Sequence, residues 1–93
     1  MAPRDPNSPE PGRALDARLL EAVERALGGD WQAAHLIVQD EEDARAAWIH
    51  AVVHRMEGDL DNARYWYGRC GRQLRKELST SDELKEIETA LRG

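Results

Sequence analysis

The chain has 93 residues, 41% hydrophobic and 33% charged, and 13 Lys and Arg against 18 Asp and Glu leave a net charge of −5. That length holds one small domain with a single core. The acidic balance argues against nucleic acid and against anionic membrane surfaces, since both are bound mainly through Lys and Arg.

Residues 1–12, MAPRDPNSPEPG, contain all four prolines and nothing like the apolar centre of a secretory signal. A disordered tail is expected there, with one helical domain over residues 13–93. No later apolar run reaches the roughly 18 residues that a membrane span requires. The single cysteine, Cys70, excludes an internal disulfide and suits a reducing compartment, so a cytoplasmic location is expected.

From Arg13 the apolar residues Leu15, Leu19, Ala22, Val23, Ala26 and Leu27 recur at helical spacing. Gly28 and Gly29 stop that helix, and Asp30 is placed to cap a second one carrying Trp31, Ala34, His35 and Val38. The acidic group Asp40, Glu41, Glu42 and Asp43 suits the positive end of a third helix, which runs to Glu57 and ends at Gly58. Asp59 caps a fourth, with Ala63, Trp66, Tyr67 and Cys70 on one side and Gly71 at its end. Thr80 and Glu83 have the spacing of a capping box ahead of a fifth amphipathic helix bearing Leu84, Ile87 and Leu91. No stretch alternates in the manner of a strand, so the expected class is all-α.

GDWQAAH at residues 29–35 and GDLDNAR at residues 58–64 align without a gap, at an offset of 29 residues. Small residues repeat at matching positions, Ala22 with Ala51 and Ala34 with Ala63, and Val38 matches Tyr67. This pattern resembles the helix-turn-helix repeat of tetratricopeptide proteins, in which small residues let paired helices approach closely. The resemblance implies two helical hairpins with the C-terminal helix capping the second. A narrower block, WIHAVVHRMEGDLDNARYWYGRCGR at residues 48–72, is similar to one in a family of small uncharacterised bacterial and fungal proteins, through IHA-x-x-HR-x-EGD-x-x-NA-x-YWY. That resemblance brings no catalytic assignment with it.

On the third helix Trp48, Ile49, Val52, Val53 and Met56 with the alanines occupy most of the circumference. His50, His54 and Glu57 fall in a polar stripe about 60° wide. A helix apolar on nearly all sides belongs in the middle of a bundle, so the stripe must face water or a polar space between helices. His50 and His54 at i, i+4 can chelate one metal ion, with Glu57 as a third ligand or a base and His35 as a further imidazole. The residue after His50 is Ala51, which removes the glutamate that a zinc-protease helix would need. The metal site is the rival of a structural expectation, which comes first: His50, His54 and Glu57, with Asn62, His35 and Tyr65, hydrogen-bond across the hairpins and fix their stacking.

Tyr65, Trp66 and Tyr67 span about 200° of the fourth helix, so one ring must lie outside the core. Tyr65 shares a face with Asn62 and Arg69 and is the natural contact residue. The expected binding residues are therefore Tyr65, Trp66, Arg69, Asn62 and His35. Arg64, Arg69, Arg72, Arg75 and Lys76 form a basic run that can meet an acidic partner or simply a helix C-terminus. No phosphate-cradling loop or serine nucleophile is present, so neither catalytic residues nor a cofactor are expected. The expected function is a protein-interaction or scaffold module, paired with itself as a homodimer or with another protein. The alternative is a metal- or small-anion-binding protein, with weak hydrolysis through Glu57.

Overall fold

The computed structural model describes residues 11–93, with side chains from residue 14 onward. It is an all-α bundle of five helices: α1 Pro11–Leu27, α2 Trp31–Val38, α3 Ala44–Glu57, α4 Leu60–Arg69 and α5 Thr80–Arg92. The tail expected over residues 1–12 falls mostly outside the described residues. Its last two residues belong to α1, whose first turn tolerates Pro11 because an N–H there would be unpaired anyway.

Local chemistry sets the helix ends. The carboxylates of Asp30, Asp43 and Asp59 accept from the backbone N–H groups of Ala33, Arg45 and Asn62, each satisfying a donor that the first turn cannot pair internally. Gly58 closes α3 with φ of 90°, a left-handed geometry that costs a side-chain-bearing residue about 1–2 kcal/mol. Helix α5 departs from expectation. Its cap is Ser79, whose hydroxyl accepts from Asp82 N–H, and Glu83 is turned into the core instead of completing a capping box with Thr80.

The helices pair as α1 with α2 and α3 with α4, each joined by a short glycine-containing turn. Every residue of α3 from Ala46 to His54 is buried, and α3 meets all four other helices. Ala22, Ala34, Ala51 and Ala63 are all fully buried, and their small side chains allow the helix axes to approach. Helix α5 caps the bundle by packing across α1 and α3, the first helices of the two hairpins. Its apolar stripe of Leu84, Ile87 and Leu91 joins the core built by Leu19, Val23, Ile49 and Val52. No helix of the described residues is long and apolar enough to cross a membrane.

Candidate functional site

Two polar clusters flank α3. The first is built from histidines. His50 and His54 lie one turn apart on α3, and their rings stack with centroids 4.9 Å apart and planes 19° from parallel. Helix α2, set against α3 by its buried Ala34 and Val38, brings His35 edge-on to both rings, at 4.6 Å from His50 and 5.5 Å from His54. One nitrogen from each imidazole lies within 4.8 Å of the other two. Trp66, from α4, covers the outer face of His50 in a parallel stack at 3.8 Å.

Electrostatics follow from this enclosure. His50 is 4% exposed, and its Nδ1 is buried without a hydrogen-bond partner. Burial, aided by the neighbouring His35 and His54, lowers its pKa from 6.5 to about 4, so the ring is neutral at pH 7. His54 is anchored differently: its Nδ1 lies 2.9 Å from Glu57 Oε2, which leaves Nε2 as the ring's other coordinating atom. Among the described residues no hydrogen bond joins the three rings across the helices. The interhelical hydrogen-bond network expected from the polar stripe is replaced by ring-to-ring packing, with the His50 Nδ1 left without a partner.

The remaining expected residues lie around this cluster and not within it. Asn62 is exposed and donates from Nδ2 to Asp59 Oδ2 at 2.6 Å, which holds the Asp59 carboxyl below the usual range. Asp59 also stands with His54 and Glu57 in a second group of potential ligands. Tyr65 is 54% exposed, touches Trp66 edge-on, and accepts from the Arg69 guanidinium at 3.0 Å. Arg69 in turn sits 5.3 Å from the Trp66 ring centroid. Cys70 is half-buried, and burial raises its thiol pKa, which argues against a nucleophilic role.

The second cluster centres on Glu83, which is 1% exposed. Its carboxylate accepts from Trp48 Nε1 at 2.8 Å, Tyr67 O–H at 2.6 Å and Arg55 Nη1 at 2.6 Å. Arg55 also donates to the Leu78 carbonyl at 2.7 Å, which ties the α4–α5 linker to α3. Burial and the bond to Glu83 raise the Tyr67 phenol pKa. Sequence reasoning gave Glu83 to a cap, yet its phase held the contrary signal. Ile87 and Leu91 follow it at successive four-residue steps, so Glu83 stands on the apolar face of α5.

No protein family, no curated protein and no solved structure matches the chain.

Proposed function

We propose that this protein binds a divalent transition-metal ion through His35, His50 and His54, and that the ion fastens α2 to α3. The observation that carries the reading is the convergence of three imidazole nitrogens from two helices within 4.8 Å of one another, around a buried and otherwise unpaired His50. Neutral imidazoles suit zinc, copper or nickel, whereas calcium and magnesium take oxygen ligands. A set of three histidines leaves a fourth position for water or a further ligand. Glu57 acts through His54: accepting from Nδ1–H fixes the tautomer that offers Nε2 to a metal. That engagement also speaks against Glu57 as a hydrolytic base, and so favours binding over catalysis.

The test is elemental analysis of protein purified without an affinity tag. About one equivalent of metal is expected, lost in His54→Ala, and chelator should lower the melting temperature of the wild type alone. Protein that carries no metal above background, and whose melting temperature ignores added zinc, would exclude the reading.

A second reading is a protein-interaction or scaffold module, in a cytoplasmic setting that suits a free Cys70. It draws on the exposed Tyr65 with Arg69 braced against it beside the half-buried Trp66. On this reading the two hairpins form a tetratricopeptide-like repeat whose free face takes a second copy of the chain. Sedimentation equilibrium distinguishes the two: a dimer weakened by Tyr65→Ala supports the module, and a monomer at all concentrations opposes it.

A further inference from the structure

The basic run of the sequence folds into a cleft that the histidine site does not use. From Arg64 to Lys76 there are five cationic residues and no acidic one, in a chain whose net charge is −5. The last turn of α4 and the linker to α5 enclose a cleft of about 490 Å³ with Arg64, Arg72 and Lys76 on its walls. That volume lies within the range typical of small-molecule sites. Leu74 contributes apolar surface to the same cleft, the buried Tyr67 lies behind its wall, and the Glu77 carboxylate also borders it.

These cations are differently held. The Arg72 guanidinium lies 3.4 Å from the centroid of the Trp48 ring, a contact that holds its position. Arg64 reaches Asp61 only at 3.5 Å, with both side chains exposed, and such a pair is easily exchanged for a better anion. Lys76 makes no ion pair among the described residues. Three cations against one carboxylate leave a local excess of two positive charges, the complement of a phosphate monoester near neutral pH.

Gly68 gives an independent indication. Glycine is poor in a helix, and this one has no conformational reason to be there, because among the described residues only Gly29, Gly58 and Gly71 have positive φ. Packing does not demand it either: a Cβ built on Gly68 would meet nothing within 4 Å. What the missing side chain provides is open space in the wall of the cationic cleft, where a ligand can approach the backbone.

We infer that the cleft between the end of α4 and the α4–α5 linker binds a small phosphate monoester carrying an apolar or aromatic group. The phosphate is held by the guanidinium forks of Arg64 and Arg72 and the ammonium of Lys76. The organic group lies against the partly exposed Leu74. This site is separate from the histidine cluster and does not depend on it.

The probe is phenyl phosphate, titrated into the full chain by calorimetry at constant ionic strength, with inorganic phosphate and anionic phospholipid vesicles as comparisons. Saturable binding at one site per chain is expected, about tenfold tighter than for inorganic phosphate because the ring adds apolar burial. The double variant Arg64→Gln, Lys76→Gln should weaken it by about tenfold or more. Gly68→Leu should do the same by filling the cleft, while its melting temperature equals or exceeds that of the wild type. The inference is overturned by absence of saturation at millimolar phenyl phosphate, by equal binding of the two phosphates, or by binding to vesicles alone. Unchanged affinity in a folded Gly68→Leu protein would overturn it equally.

Discussion

The imidazole of His50 lies against the indole of Trp66 with ring centroids 3.8 Å apart and planes 13° from parallel. This stack closes the side of the histidine cluster that α4 faces, and it is what separates His50 from water. Arg69 rests on the same indole, so Trp66 is layered between a cation and a neutral imidazole. Such a layer favours the neutral form of His50, because burial under the indole penalises a charged ring.

Removing Trp66 should therefore act on two observables together. Trp66→Ala is expected to destabilise the fold by about 2–3 kcal/mol, less than a fully buried tryptophan would because the ring is only partly buried. It should also return the His50 pKa toward 6.5, read by NMR titration of the imidazole protons. Loss of stability with His50 still titrating near 4 would show that the indole is not what desolvates the ring.

Metal-free protein should lose stability as the pH falls from about 6.5 to about 4. The folded-state pKa of His50 is depressed to about 4 against an ordinary 6.5, so the unfolded chain takes up the proton first. The contribution is complete above pH 6.5 and disappears through that window, with a size on the order of 3 kcal/mol. The groups facing the ring are His35 from α2, His54 from α3, and Trp66 from α4 with Arg69 on it. Urea unfolding at several pH values, compared with His50→Leu, measures it: the variant should flatten this part of the profile.

Glu57 should tune metal affinity with little effect on the fold. Its side chain is 39% exposed and contacts His54 Nδ1 at 2.9 Å, so Glu57→Ala removes an orienting contact and buries nothing new. Metal affinity is expected to drop by about 10- to 100-fold while the melting temperature of the metal-free protein changes little. Equal affinities in the two proteins, by competition with a chromophoric chelator, would remove Glu57 from the site.

Glu83 should be among the costliest positions to truncate. Glu83→Ala leaves the 10%-exposed side chain of Arg55 without its carboxylate, and also leaves Trp48 Nε1 and Tyr67 O–H unpaired. A loss of about 3–5 kcal/mol is expected from the stranded charge alone. Denaturant unfolding should show it directly. A double variant with Arg55→Met should recover part of the loss, since no cation then remains buried alone.

Several helix boundaries were legible in the sequence because their causes are local. Asp30 and Asp59 cap backbone groups three residues away, and Gly58 ends α3 through its own φ. The central place of α3 was legible too, since a helix apolar around nearly its whole circumference needs neighbours on every side. Periodicity likewise set His50, His54 and Glu57 on one stripe. What faced that stripe was another matter. His35 reaches it only through the packing of α2 on α3, and Trp66 only through the turn of the second hairpin. Glu83 was misread for the same reason: its spacing from Thr80 fitted a local cap, while its partners Trp48 and Arg55 lie 35 and 28 residues away in the chain. A capping bond spans a single turn and can be read from neighbouring residues. A buried carboxylate is decided by which distant donors the fold delivers to it, and only the tertiary structure brings those donors together.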